Sequence, residues 1–218
     1  MKLDFAILST LELMAGPQRG VLTIKDVEIL FNTVNRQLLA KRLAPYILAK
    51  VIVRFCRGLY IYPRSFRDPQ KGLLYLSQRI VPDSMISLGT ALSIHRMIGS
   101  VPLRTVYAVK IGTSRTYENA EIGRIVHLGF GNVSDGDFMG LGSVREGGIN
   151  LATPERALLD TLYFYQRGRV PFFNIYSDIF TIAVNKKRYL EYLENYPNAR
   201  FRAFARSYIN ERSDNNNK

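Results

Sequence analysis

The sequence is poor in the residues that most often build metal sites and covalent cross-links. It has one cysteine, Cys56, two histidines, His95 and His127, and no tryptophan. A single cysteine excludes an intramolecular disulfide, and these three residues are too few for a zinc site. We therefore predict no metal or other cofactor, and a reducing, cytoplasmic setting.

Long apolar runs are also missing, and no signal peptide is expected at the start of this sequence. Nowhere do about 18 apolar residues follow one another, so no membrane span and no membrane partner are expected. Residues 1–5 lack the basic start, apolar run and cleavage site of a signal peptide. With 47% hydrophobic and 22% charged residues, the chain has the composition of a folded globular protein.

Acidic residues are scarce relative to basic ones. Thirty Lys and Arg against 18 Asp and Glu give a net charge of +12, which indicates an anionic partner such as nucleic acid, an acidic protein or a membrane surface. The basic and acidic counts are 11 and 5 in residues 1–69, 11 and 9 in 70–184, and 8 and 4 in 185–218. The excess therefore lies at the two ends.

Prolines and polar residues divide the chain. Pro63 and Pro69, with polar residues between them, are typical of a linker. We expect an N-terminal domain over 1–66 and a C-terminal domain over 70–212. The asparagine-rich residues 213–218 are predicted to form a disordered tail.

The N-terminal domain begins with three predicted helices. Apolar spacing predicts the first over 3–14. Thr23 is the expected N-cap of a short second helix, with an imperfect capping box. The third is predicted at 34–43, where Ala44-Pro45 either ends it or opens another short turn.

The third predicted helix has one polar face. At about 100° per residue, one arc of it contains Arg36, Gln37, Ala40 and Lys41. The opposite arc is mainly apolar and contains Val34, Leu38, Leu39 and Leu43. On this phase, Asn35 and Arg42 project from the apolar arc. One face is therefore suited to a core and the other to polar contacts.

Two β-rich runs, 51–57 and 59–62, meet at Gly58 and predict a hairpin. Three short helices followed by a hairpin are the element order of a winged helix-turn-helix, in which the third helix enters the DNA major groove and the wing reaches phosphates. The candidate DNA-binding residues are Asn35, Arg36, Gln37, Lys41, Arg42, Arg54, Arg57 and Arg64. A small helical domain that binds protein would show the same solvated charges.

The C-terminal domain is predicted to mix helices and strands. Strand-like runs at 105–111 and 124–130 should pair, with a polar segment at 114–119 between them. Thr153-Pro154-Glu155 combines an N-cap, a first-position proline and an acidic first turn. Ser87 is a further expected N-cap. The predicted class is α+β, a winged helix-turn-helix followed by a mixed α/β domain.

Two helices, at 186–196 and 199–212, are expected to close the fold. The last is rich in arginine. Arg200, Arg202 and Arg206 form a possible second basic surface, which would extend a DNA footprint or contact RNA.

No catalytic motif is complete. In the glycine-rich segment 129–148, Ser134 and Arg145 stand where two dinucleotide fingerprints need their last glycine. Tight turns or a mobile loop are expected there instead. No serine lies in a G-x-S-x-G elbow.

Two pairs of carboxylates are alternative candidates for a magnesium-dependent nuclease, Asp135 with Asp137 and Glu155 with Asp160. Loop-turn, capping and helix-surface roles are the simpler expectation. His95 is expected to be a structural or surface histidine. We therefore predict no catalytic residue, no metal site and no enzyme activity.

Three segments carry a resemblance to a known family: Arg57-Gly58-Leu59-Tyr60, Ser87–His95 and above all Ala152–Asp160. Together, in this order, they resemble the AbiEi-type antitoxins of bacterial type IV toxin-antitoxin systems over roughly residues 5–205. The resemblance implies a phage-defence autorepressor that binds its own promoter through the third helix and wing. It also implies an antitoxin domain from about residue 70 that counteracts a nucleotidyltransferase toxin, with no catalytic residue. The family commonly has Lys where this chain has Arg156.

The partners expected from this resemblance are operator DNA of the chain's own promoter and the cognate toxin. Two other functions stay open on the sequence. One is a transcriptional regulator whose second domain senses a ligand, and the other is a metal-dependent nuclease.

Overall fold

The computed structural model describes residues 3–66, 68–99, 104–131, 137–170 and 174–215. The chain divides into two compact units, of which unit 1 is Met1–Leu76 with Tyr117–Arg124 and unit 2 is Ser77–Thr116 with Ile125–Lys218. The described residues form a mixed α+β fold with two β-sheets, which confirms the α+β part of the predicted class. None of the described helices is long and apolar enough to cross a membrane.

Unit 1 begins with helices and ends in a small sheet. Its elements are α1 (Phe5–Ala15), β1 (Val21–Thr23), α2 (Ile24–Leu30), α3 (Arg36–Leu48), β2 (Val53–Cys56), β3 (Leu59–Ile61) and a 3-10 turn (Pro63–Ser65). The strands pair antiparallel in the order β1-β3-β2. Leu11, Val27 and Ile52 are fully buried in the core between helices and sheet.

Local sequence explains where α2 and the hairpin turn lie. Asp26 accepts from the backbone N–H of Thr23 at 2.7 Å, and the Thr23 hydroxyl accepts from the backbone N–H of Asp26 at 3.3 Å. This completes the predicted capping box. Gly58 has φ +80°, a conformation that other residues rarely adopt, and it turns β2 into β3.

The prediction for the third helix is wrong at both ends, although its polar arc is exposed as predicted. The helix starts at Arg36, after the Asn35 cap, and passes through Pro45 to Leu48. Proline cannot donate the backbone bond that the helix needs there. Packing offsets that loss, because Tyr46 is buried and its ring meets Phe31 edge-on at 5.3 Å.

The side chains on the supposed apolar arc of α3 also differ from expectation. Leu39 and Leu43 are buried together with Tyr46, whereas Val34 is 82% exposed and Leu38 is 39% exposed. The sequence does not predict strand β1, because three residues are too few to show the alternating pattern of a strand. The expected linker contains the 3-10 turn and the first residue, Pro69, of helix α4.

Helix α4 (Pro69–Ile80) belongs partly to each unit. The other helices of unit 2 are α5 (Leu88–Ile94), α6 (Asp137–Gly140), α7 (Pro154–Tyr165), α8 (Lys186–Leu193) and α9 (Ala199–Asn215). The strands of the larger sheet are β4 (Met85–Ile86), β5 (Thr105–Lys110), β6 (Arg115–Asn119), β7 (Gly123–Gly129), β8 (Ser143–Glu146) and β9 (Ile149–Ala152).

The strand order of the larger sheet is β6-β7-β5-β4-β9-β8. The predicted pairing of 105–111 with 124–130 is confirmed, since β5 and β7 are neighbours. The polar segment between them, to which the sequence assigns no element, forms the edge strand β6. An edge strand has one open side, so polar side chains suit it.

The ends of the last two helices differ from the prediction. Helix α8 stops at Leu193, and α9 continues to Asn215, beyond the predicted start of the tail at 213. No proline or glycine interrupts α9, and each added residue contributes one backbone bond. Residues 216–218 of the predicted tail lie outside the described residues.

Candidate nucleic-acid interface

A groove of about 900 Å³ lies between α3 and the β2–β3 hairpin of unit 1. Four basic residues line it: Arg36, Lys41, Arg54 and Arg57. No acidic residue among those that the structure describes does so, and we call this set of four the basic face. Such a surface attracts anions and repels cations.

The four side chains of the basic face are all exposed. Within the described residues, none of them makes an ion pair or a side-chain hydrogen bond. Their charges are therefore not neutralised by the fold itself. An exposed, unpaired cation can contact a phosphate with little desolvation cost.

The other DNA-binding candidates have different surroundings. Gln37 is exposed in the first turn of α3. Asn35 caps the helix, because its side-chain oxygen accepts from the backbone N–H groups of Gln37 at 3.0 Å and Leu38 at 3.1 Å. Arg42 donates to the Phe31 carbonyl at 2.6 Å, which ties α3 to the end of α2. The side chains of Asn35 and Arg42 thus stabilise unit 1 through these hydrogen bonds.

Arg64 is exposed in the 3-10 turn after β3 and does not line the groove. The structure therefore brings together four of the eight candidates, leaves Gln37 beside them on the exposed side of α3, and separates Arg64 from the groove. The sequence-based assignment of Asn35 and Arg42 to the DNA-binding set does not account for their contacts.

Sequence reasoning missed the apolar part of the groove. Ala40, Ala44 and Leu48 stand one helical turn apart on α3, and all three are exposed and line the groove. The i, i+4, i+8 spacing was visible in the sequence. This spacing indicates an apolar stripe only if the helix continues past Pro45, whereas the predicted helix ends at residue 43.

The turn Tyr117–Arg124 supports the hairpin within unit 1. Asn119 donates its side-chain N–H to the backbone carbonyl of Arg54 at 3.3 Å. Glu121 forms an ion pair with Lys50, just after α3. Glu121 is thus matched with a lysine outside the basic face.

The arginines of α9 in unit 2 are mostly engaged. Arg202 donates to the Tyr196 carbonyl at 2.5 Å, Arg206 pairs with Glu194, and Arg212 donates to the Ile175 carbonyl at 3.2 Å. Arg200 is exposed. Two of the three residues of the proposed second basic surface, Arg202 and Arg206, therefore bond to other residues of unit 2.

A buried polar cluster in unit 2 surrounds Asp160. Its oxygens accept from Arg156 Nε at 2.9 Å, from the Ser87 hydroxyl at 2.6 Å and from the Tyr196 hydroxyl at 2.5 Å. Burial opposes the charge of Arg156, but Asp160 and the neighbouring tyrosines together outweigh it, so the pKa of Arg156 is raised. Burial raises the pKa of Tyr196 well above its ordinary value. This cluster joins helices α5 and α7 and the segment before α9.

Arg156 is also held by backbone and rings. It donates to the carbonyls of Phe138 at 2.6 Å and Leu141 at 3.0 Å, and its guanidinium lies 4.2 Å from the centre of the Phe138 ring. Gly142, with φ +64°, passes so close that a Cβ there would lie 2.8 Å from the Arg156 Cβ. Part of the glycine-rich segment thus serves this packing.

The structure corrects the roles expected for the two carboxylates of α7. Glu155 and Asp160 are buried, not on the helix surface, because each has polar partners inside unit 2. Glu155 accepts from the backbone N–H of Asn185 at 2.9 Å. Among the described residues, no three His, Cys, Asp or Glu side chains are grouped to hold a metal. Asp135 lies outside them, as does the Asp137 side chain.

Both histidines have hydrogen-bond partners in unit 2. His95 Nε2 lies 2.7 Å from the carbonyl of Ala152. His127 Nε2 lies 2.8 Å from the Ser77 hydroxyl, and burial, helped by Lys110, lowers the pKa of His127 to about 4. His95 is thus a structural residue, as one of the two expectations had it.

A comparison with protein-family models finds no match for this chain, and a comparison with curated proteins finds no significant similarity. The assignment of a function therefore depends on the chemistry of the two units.

Proposed function

We propose that this protein is a sequence-specific DNA-binding regulator whose unit 1 acts as a winged helix-turn-helix. In this proposal α3 enters the major groove and the β2–β3 hairpin is the wing. The observation that carries it is the basic face, where Arg36 and Lys41 on α3 stand across one groove from Arg54 and Arg57 on the hairpin. Docking of a helix with a flanking hairpin is a known geometry of DNA readers.

Two features of unit 1 support DNA rather than an acidic protein as the partner. The cations occur on both walls of the groove and lack partners among the described residues, which suits the two phosphate strands that border a major groove. The first turn of α3 has no acidic residue, so nothing there repels a phosphate.

The direct test is a mobility-shift titration of the full chain with the DNA upstream of its own gene, at several salt concentrations. We expect a shift whose affinity falls steeply with salt. Arg54→Ala should weaken binding to specific and random DNA alike and lower the salt slope by about 0.9. Failure of the full chain to shift that DNA at low salt would refute the proposal.

We propose as the biological role that of an antitoxin that represses its own operon and counteracts a nucleotidyltransferase toxin. This step rests on the resemblance of Ala152–Asp160 and the two earlier segments to the AbiEi-type antitoxins. The buried cluster around Asp160 explains why those residue types would matter to unit 2, since removing one would leave charge or polar groups unmatched in its core.

Co-expression with a nucleotidyltransferase encoded beside the gene tests this role. The full chain should rescue growth, and a variant with the basic face changed to alanine should still rescue it but no longer repress the promoter. Truncation is a poor test, because Tyr117–Arg124 belongs to unit 1. A ligand-responsive regulator would repress without any rescue, and a nuclease would cleave DNA with magnesium.

A further inference from the structure

In the first part of α3, residues 36–41, two exposed side chains lie between the two cations. Counted around the axis at about 100° per residue, Ala40 lies about 40° and Gln37 about 100° from Arg36, while Lys41 lies about 140° from it. Both Gln37 and Ala40 are exposed. Leu38, at about 200°, lies outside this arc.

The contacts of the neighbouring polar residues narrow the choice of base-reading side chains. Asn35 is held by the helix N-terminus and Arg42 by the Phe31 carbonyl. Gln37, by contrast, has no side-chain hydrogen bond to any part of the chain that the structure describes. Its amide is free to form two bonds with one base.

The chemistry of the two side chains matches one kind of base pair. A glutamine amide pairs with the N6 and N7 atoms of adenine in the major groove, and a small apolar side chain such as alanine packs on the thymine methyl group. Gln37 and Ala40 are three residues apart, so they are neighbours on the helix surface. Residues near the N-terminal end of a docked helix are those that reach base edges.

We propose that α3 reads A·T base pairs, with Gln37 hydrogen-bonding adenine and Ala40 packing against a thymine methyl group. Arg36 and Lys41 flank this pair. The inference rests on the proposed DNA-binding function and names the sequence class of the site it recognises.

The test uses the full chain and duplexes selected from a random library. In the selected site, each thymine is replaced in turn by uracil, which removes only the methyl group, and each adenine by 7-deazaadenine, which removes N7. We expect one uracil substitution to weaken binding about fourfold. One 7-deazaadenine substitution should weaken it by about 5-fold or more.

Variants assign each effect to its side chain. Ala40→Gly should bind the thymine and uracil duplexes equally, and Gln37→Ala should not distinguish adenine from 7-deazaadenine. Ala203→Gly, the same change at an exposed position of α9, is the control for helix weakening and should retain both preferences. Circular dichroism checks that each variant is folded.

The outcomes separate the two proposals. DNA binding without any uracil or 7-deazaadenine effect, or with effects that survive in Ala40→Gly and Gln37→Ala, would overturn the A·T assignment and leave the DNA-binding function standing. Absence of binding to every duplex at low salt would overturn both.

Discussion

The arginines of unit 1 and unit 2 have opposite surroundings. On the basic face, Arg36 and Arg57 extend into solvent beside other cations, and no described residue pairs with them. In unit 2, Arg156 is fully buried and three arginines of α9 bond to carbonyls or to a glutamate. Local net charge is positive in both regions of the sequence. The basic face thus leaves a group of cations available to a partner, whereas these four arginines of unit 2 are held by other residues of their own unit.

This contrast shows how to interpret a basic segment. An arginine that donates to a carbonyl or carboxylate of its own chain is held in place by that bond, so fewer of its N–H donors remain for DNA. The excess charge of residues 185–218 therefore overstates what α9 offers to nucleic acid. Changes in stability and in DNA affinity should therefore distinguish the two groups of arginines.

The largest difference should appear when Arg156 is replaced. Arg156→Met leaves Asp160 buried without its cation, and we expect the free energy of unfolding to fall by about 3–5 kcal/mol. Arg36→Met, at an exposed site, should change it by less than about 0.5 kcal/mol. Urea denaturation followed by circular dichroism measures both. Equal stability of the two variants would contradict the contrast.

A second test uses acid to protonate His127, which places a positive charge inside unit 2. The pKa of His127 is about 4 in the folded chain and about 6.5 when unfolded, so the folded state binds fewer protons between these values. The stability that neutral His127 contributes is complete above pH 6.5. As the pH falls to about 4, the free energy of unfolding decreases by up to about 3 kcal/mol.

His127→Gln keeps a hydrogen-bonding group near Ser77 and removes the titration. We expect the wild-type loss of stability between pH 6.5 and 4 to be reduced in this variant, as measured by denaturation at each pH. An unchanged pH profile would show that protonation of His127 is not coupled to unfolding.

Neighbouring residues on α3 provide a third test. Lys41→Ala should lower affinity for the operator by about 1–3 kcal/mol if a base contact is lost, with unfolding nearly unchanged. Arg42→Ala removes the bond to the Phe31 carbonyl and should instead lower stability by about 1.5–3 kcal/mol. Titration of DNA and urea denaturation of both variants distinguish these effects. The reverse result would mean that α3 docks through its other side.

The predictable parts of this molecule are those encoded by adjacent residues. Thr23 and Thr153 cap helices as expected, because an N-cap and its partner lie three residues apart. The expected capping role of Ser87 fails, since its hydroxyl bonds to Asp160, 73 residues away. No local pattern shows such a partner.

The candidate site also has one part that the sequence predicts and one part that it does not. Exposure of Arg36, Gln37 and Lys41 on one side of α3 follows from helical spacing alone. The passage of α3 through Pro45 depends on the packing of Tyr46 against Phe31, which the sequence does not reveal. The apolar stripe of the groove was therefore predictable only once the helix was known to continue.

The smallest expected effect concerns Arg206 in unit 2. It pairs with Glu194 on the surface, and both side chains are about half exposed, at 48% and 59%. Such pairs contribute about 0.2–1 kcal/mol, so Arg206→Ala should be nearly as stable as the wild type. Because its charge is already matched, loss of Arg206 should leave operator affinity and its salt slope unchanged, whereas Arg54→Ala lowers both. If Arg200→Glu combined with Arg206→Glu abolishes repression while rescue from the toxin persists, α9 contributes to the DNA footprint and the contrast between the two groups of arginines fails.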